Sequence, residues 1–321
     1  MTNSRPADRL SPVNRLSEVL AGRPALFDGG YGWLLQERGL PPGEVAEVWN
    51  VDNPEAVEAL HEEYAAAGAS ILTTNTFGGT RPRLDMNGLG ARCAELNTAG
   101  AQRARAVADR HNALVAGDVG PTGELLEPLG TLSTDGALAL FAEQIHALVA
   151  GGIDLILIET MSDLTEVQAA IAAAETVAPD LPIVATLSFD TNLRTMMGVD
   201  PAAAVQALAR AGVDAVGANC GRGPAEMTQI AAQLHAARGD LGPDHDHLLI
   251  VAQSNAGLPQ LSGDQFEYTV DPREMAEHAI ELRDLGVDVI GACCGSSPEH
   301  IRAIAQAWSG LPDPRARPFT G

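Results

Sequence analysis

Cysteine is scarce in this chain, and where it falls suggests chemistry. Cys293 and Cys294 are adjacent, Cys220 lies in the triplet Asn219-Cys220-Gly221, and the fourth, Cys93, sits in a helix-like stretch, ARCAELN. Thiolates are soft ligands that favour Zn²⁺ over Mg²⁺ or Ca²⁺. Three of them occupy three corners of a tetrahedral zinc and leave the fourth open to an incoming ligand. A lone Cys-Cys pair would read as two small buried hydrophobes, which is the reading given to Cys93. The metal reading therefore requires a fold that carries residue 220 and residues 293–294 to the same place.

The rest of the chain is patterned to do that. Short apolar runs, rich in β-formers, recur at 24–28 (PALFD), 70–74 (SILTT), 113–117 (ALVAG), 154–159 (DLILIE), 182–188 (PIVATLS), 214–219 (DAVGAN), 248–253 (LLIVAQ) and 287–292 (VDVIGA). Each is followed by an Ala/Leu/Glu-rich helical segment, and AGAS, GGID, AGVD and LGVD place a helix-ending glycine before four of the strands. Continuous rather than alternating hydrophobic strands predict a parallel sheet buried on both faces. Eight βα units fit a single (β/α)8 TIM barrel better than an open Rossmann-like sheet, since no GxGxxG follows any run and Asp28-Gly29-Gly30-Tyr31-Gly32 lacks the last glycine. The 321 residues are read as one barrel domain with flexible tails at 1–15 and 311–321.

In such a barrel the site lies at the C-terminal strand ends. In order these carry Asp28-Gly29-Gly30, Thr74-Asn75-Thr76-Phe77, Asp118, Glu159-Thr160, Ser188-Phe189-Asp190, Asn219-Cys220-Gly221, Ser254-Asn255 and Cys293-Cys294-Gly295. Cys220 thus closes the sixth strand and Cys293-Cys294 the eighth.

Composition removes several alternatives. The formal net charge is −22, a field that repels nucleic-acid phosphates and anionic membranes, so neither is an expected partner. All 20 basic residues are Arg, which excludes lysine Schiff-base chemistry and a P-loop lysine. No apolar run is long enough to span a membrane, and the polar N-terminal segment lacks the features of a secretory signal, so a cytoplasmic protein is expected.

The motifs resemble those of the zinc-dependent homocysteine S-methyltransferase family. GANCG (217–221) and GACCGSSPEHI (291–301) are similar to its zinc motifs, and the likeness extends over DGGYG (28–32), NPEAVEALHEEYAAAGASILTTNTFGG (53–79), GDVGPTGELLEPLG (117–130), ETMSDLTE (159–166), SFDTNLRTMMG (188–198) and SNAGLP (254–259). The resemblance is strongest to bacterial betaine:homocysteine S-methyltransferases and extends to the homocysteine domain of cobalamin-dependent methionine synthase. It implies a (β/α)8 barrel that methylates homocysteine to methionine, with Cys220, Cys293 and Cys294 on Zn²⁺ and with Asp28, Gly29 and Glu159 holding the amino acid end of the substrate. Asp28 and Glu159 would pair with the ammonium and the amides of Gly29 and Gly30 would approach the carboxylate, with Thr74, Asn75 and Asn219 as further contacts at strand ends. Zinc would deprotonate the thiol, whose free pKa is near 8.5.

Betaine is the leading methyl donor, with Tyr31, Trp33, Trp49 and Phe77 as candidates to face a quaternary ammonium. Phe77 is followed by Gly78, whereas animal betaine enzymes carry Phe-Tyr at this place. The alternatives are a homocysteine-activating module fed by methylcobalamin on a separate corrinoid protein, S-methylmethionine or S-adenosylmethionine as donor, and a non-catalytic zinc-binding thiol sensor. The short tail after Cys294 leads us to expect no cobalamin or folate domain. Asp244-His245-Asp246-His247 reads as a solvated loop, Met196-Met197 as donor-pocket or packing residues, and His61 and His146 as surface or core.

Overall fold

A computed structural model of the chain describes residues 14–21, 23, 25–41, 43–262 and 265–309. Nine strands are present among them: β1 (Ile71–Thr73), β2 (Leu114–Val119), β3 (Leu155–Met161), β4 (Ile183–Leu187), β5 (Ala215–Cys220), β6 (Leu249–Ser254), β7 (Gln260–Ser262), β8 (Gln265–Glu267) and β9 (Val289–Ala292). Seven form one parallel sheet in the order β1-β2-β3-β4-β5-β6-β9, with helices between successive strands. β7 and β8 form a separate antiparallel hairpin in the connection after β6, an element the run pattern does not predict.

The expected first strand is the main departure. Residues 25–28 form no named strand; Leu26 bridges Ile290 of β9 and Phe27 bridges Ile71 of β1, each as an isolated parallel bridge. The contacts are good: Phe27 N–H donates to Ile290 O at 2.8 Å and Ser70 N–H to Leu26 O at 2.9 Å. The sheet is α/β and TIM-barrel-like with seven regular strands, not the eight expected. The 25–28 segment makes only two isolated bridges, with Asp28 O still accepting the Ala292 N–H at 3.1 Å before the chain passes through Gly29 and Gly30 into the first loop.

Packing follows the two-residue period of the strands. Ile71, Leu114, Leu155, Val184, Ala215 and Val289 belong to one buried cluster inside the curved sheet. Their neighbours Leu72, Val115, Ile156, Ala185, Val216 and Ile290 belong to the cluster shared with the helices. The glycines expected to end helices do so: Gly68 and Gly152 are left-handed C-caps at φ +111° and +93°, where a Cβ would be strained. Asp200 and Asp271 cap the N-termini of helices Pro201–Arg210 and Pro272–Asp284.

The N-terminal end of the interior is plugged by helix Arg15–Val19, whose Leu16 is buried in the inner cluster together with Leu20. Asn14 Nδ2 donates to the carbonyls of Asp214 (2.6 Å) and His247 (2.8 Å), and Arg15 pairs with Asp214 at 2.9 Å. Asn14 and Arg15 are therefore tied into the fold, contrary to the expected tail; residues 1–13 and 311–321 lie outside the described residues. Residues 244–247 run through a short 3-10 turn (Pro243–His245) into β6, at this same end. Cys93 is core, its Sγ donating to Gly79 O at 3.2 Å. His61 is buried and His146 exposed. No helix among the described residues is long and apolar enough to cross a membrane.

Candidate metal and substrate site

The three cysteines do meet. Cys220 closes β5, Cys293 and Cys294 follow β9, and their sulfurs all lie within 4.8 Å of one another, with Cys220 Sγ 3.1 Å from Cys293 Sγ. They are the one group of three metal-capable residues found among the described residues. Hydrogen bonds to Cys220 and Cys293 hold the Cys294 thiol down at about 3, and Cys293 is pushed well above its ordinary value by its bonds to Cys220 and Cys294. Three convergent soft donors, with Cys294 exposed to solvent, suit Zn²⁺ with one open position.

The cysteine loops are held by amide side chains. Asn255, just after β6, donates from Nδ2 to Gly221 O (2.7 Å) and accepts the Cys294 N–H on Oδ1 (3.0 Å), clamping the two loops together. Asn219 accepts from Thr160 N–H and Thr186 Oγ1, both at 2.8 Å, and donates to Thr160 Oγ1 at 2.6 Å. It lies between two strained corners, Thr160 at φ +59° and Cys220 at φ +61°. For a β-branched residue this conformation is a true outlier, kept only where the surroundings enforce it. The β3–β4 register slips between Ile158 and Met161, and this bulge carries Glu159.

Asp28 and Glu159 flank the cluster. Asp28 is 1% exposed and takes three donors: Tyr31 Oη (2.6 Å) and Thr73 N–H (2.7 Å) on Oδ2, and Thr73 Oγ1 (2.7 Å) on Oδ1. Burial outweighs them and pushes its pKa up to about 7. Glu159, half-buried, is pushed up to about 8 by burial and then by the charges of Cys294 and Asp28. Both carboxylates would return to the ionised form beside a bound cation. Gly29 is required by space: a Cβ there would meet Ser296 Oγ at 2.6 Å and Tyr64 Oη at 2.8 Å. The Gly30 N–H is already given to Ser296 Oγ at 3.2 Å.

Thr74 and Asn75 use their polar atoms on the protein. Thr74 Oγ1 accepts the Asp118 N–H (2.9 Å), and Asn75 Nδ2 donates to Ala46 O (2.8 Å) and Asn50 Oδ1 (3.0 Å). They position the end of β1. Of the aromatic candidates, Tyr31 gives its hydroxyl to Asp28, Trp49 packs in the core, and the Phe77 ring lies under the Arg83 guanidinium at 5.8 Å. Trp33 packs edge-on against Tyr268 at 5.8 Å. Tyr268 abuts the cysteine loop, since a Cβ on Gly295 would meet its ring at 2.1 Å, and its pKa rises to about 12 through burial and then the charges of the three cysteines. Sequence reading missed Tyr268, Ser296 and the clamp role of Asn255. Only Asn255 left a trace, as a polar residue at a strand end.

The model of the homocysteine S-methyltransferase family matches residues 25–308. The chain belongs to the homocysteine S-methyltransferase family. Similar proteins include the methionine synthases of Mycobacterium leprae, 31% identical over 91% of this chain and 25% of that protein, and of Mycobacterium tuberculosis, 32% identical over 93% and 26%. Betaine–homocysteine S-methyltransferase 1 of Danio rerio is 30% identical over 94% of this chain and 78% of its own length. This chain thus spans about a quarter of the methionine synthases it matches. Among solved structures, the metallated form of the Escherichia coli homocysteine methyltransferase MmuM superposes with a TM-score of 0.74 at 23% identity, covering 91% of this chain and 99% of that one, a likeness of fold.

Proposed function

We propose that this protein transfers a methyl group to the sulfur of homocysteine, giving methionine, with Zn²⁺ held by Cys220, Cys293 and Cys294 and betaine as the methyl donor. The observation that carries the reading is the convergence of three sulfurs from two strand ends beside the buried Asp28 and the half-buried Glu159. Residues 25–28 bridge β9 and β1, and so bring Asp28 to the same end of the sheet.

Zinc at this site supplies the Lewis acidity that lowers the pKa of an entering thiol. The protein's own residues do the rest. Glu159 and the carboxylates around it offer negative charge to the substrate ammonium, and Gly29 lets the first loop pack against Ser296 and Tyr64 beside the cysteine loop. Asn255 and Asn219 hold Cys220 and Cys294 in place before substrate arrives, and the Cys293 N–H is held by Ser254 O. The donor's cationic methyl group approaches from the mouth past Trp33 and Tyr268, the aromatic pair beside the cysteine loop.

A second reading has its own support. Leu125, Leu129, Met196 and Leu258 are 55%, 68%, 72% and 44% exposed, on loops after β2, β4 and β6, at the same end of the sheet as the exposed Cys294. Such a rim suits a methyl donor carried on a separate corrinoid protein. Methionine formation from homocysteine with betaine, S-methylmethionine, S-adenosylmethionine and methylcobalamin, each alone, separates the readings.

A further inference from the structure

Asp118 is 4% exposed, yet its Oδ1 has no hydrogen-bond partner among the described residues. A bare buried carboxylate oxygen is costly and uncommon in a folded protein. Strand alternation says where it points: Leu114 and Ala116 of β2 belong to the inner cluster, so Asp118, two residues on, faces the same interior at its C-terminal end. Glu159 stands on the adjacent strand β3, two residues beyond the inner Leu157. Asp118 feels burial first, then the charges of Glu159, Glu47 and Asp28, all of which push its pKa well above the usual carboxylate range.

The other two acids near it are already engaged. Asp28 accepts three hydrogen bonds, most of the four or so that a carboxylate can take, and Glu47 accepts the Gly78 N–H at 2.5 Å. Glu159 has only a long contact of 3.4 Å from Asn219 Nδ2. Of these four acids, Asp118 and Glu159 are the two whose carboxylates take no hydrogen bond shorter than 3.4 Å among the described residues. A primary ammonium carries three N–H donors and a positive charge, and it satisfies both acids at once.

We propose that Asp118 binds the substrate's ammonium group, sharing it with Glu159, while Asp28 serves to fix the first loop through Tyr31 and Thr73. This assignment rests on the homocysteine reading above and adds a residue to it. It also explains why an unpartnered acid is retained in a buried position: its partner arrives with the substrate.

The test uses the zinc-loaded protein and two ligands that differ only in the amino group, L-homocysteine and 4-mercaptobutanoic acid, with binding followed by calorimetry. For wild type, homocysteine is expected to bind the tighter. In Asp118→Asn, homocysteine affinity should fall about 10- to 100-fold while the des-amino ligand binds as well as before or better. The ligand-free variant should also melt at a higher temperature than wild type, because an unpaired buried acid has been removed. An unchanged preference for homocysteine overturns the assignment and leaves the homocysteine reading standing. A drop in both affinities together with a lower melting temperature in Asp118→Asn and in Asp118→Ala would make Asp118 structural, and also overturns it. If wild type binds neither ligand, the homocysteine reading fails and the assignment falls with it.

Discussion

Asn255 and Cys294 are joined by a hydrogen bond from the Cys294 N–H to Asn255 Oδ1 at 3.0 Å, and the same side chain holds Gly221 O at 2.7 Å. One amide thus sets the spacing between cysteines that lie more than seventy positions apart in sequence. Asn255→Ala is expected to lower zinc affinity about 10- to 100-fold, the usual effect of losing an outer partner of a metal site, while the far-ultraviolet circular dichroism stays that of wild type. Competition with a chromophoric chelator measures the affinity, and an unchanged value would remove Asn255 from this role.

Cys220→Ser should lose bound zinc and activity together, because a serine hydroxyl is a poor substitute for a thiolate on zinc. Elemental analysis is expected to give one zinc per wild-type chain and well under one for the variant. The ligands hang on a preformed sheet, so chelation should leave secondary structure intact, unlike a zinc finger. Full metal occupancy in a Cys220/Cys293/Cys294 triple variant would contradict the site.

Trp33→Ala should raise the KM for the methyl donor several-fold and spare the affinity for homocysteine, since a cation over an aromatic face gains about 0.5 to 2 kcal/mol. Trp49→Ala, by contrast, removes a core side chain and should show as a lower melting temperature. Steady-state kinetics with the donor varied at saturating homocysteine distinguish the two. Equal effects of Trp33→Ala on both substrates would place Trp33 outside the donor's path.

Much of this was legible before any coordinates. The glycines ending helices at 68 and 152 and the continuous apolar runs mark strand starts directly, because both signals are local. The cysteines were legible for a related reason: each follows a strand whose end is visible as a change from apolar to polar. Phe27 was harder, since its run looks like the others but turns after two bridged residues at Asp28-Gly29-Gly30. Tyr268 gave no signal, being a single aromatic after a hairpin that has no periodicity of its own. Asp118 was visible as a polar strand end, whereas its lack of a partner is a property of three strands packed together. Phe77 looked available until the fold placed Arg83 over its ring.

His278 provides a stability test away from the site. It is 5% exposed on helix Pro272–Asp284, its Nε2 has no hydrogen-bond partner among the described residues, and burial pushes its pKa down from 6.5 to about 4. A folded value below the unfolded one means that its contribution is complete above about pH 6.5 and is lost as pH falls toward 4. Wild type should therefore lose more stability between pH 7 and 5 than His278→Gln, with a difference on the order of 1 to 2 kcal/mol. Urea unfolding at both pH values checks it. Asp28, with its pKa raised to about 7, acts with the opposite sign in both proteins and cancels in the comparison. Parallel losses in the two proteins would show that His278 does not titrate as described.

The most direct test of the whole account is methionine formation by the zinc-loaded protein from L-homocysteine and a methyl donor. The account predicts methionine with betaine present, none when homocysteine is omitted, and none from the Cys220→Ser protein. Methionine from methylcobalamin but not from betaine would transfer the donor to the corrinoid reading. No methionine from betaine, S-methylmethionine, S-adenosylmethionine or methylcobalamin, in a protein that demonstrably holds its zinc, would contradict the central claim.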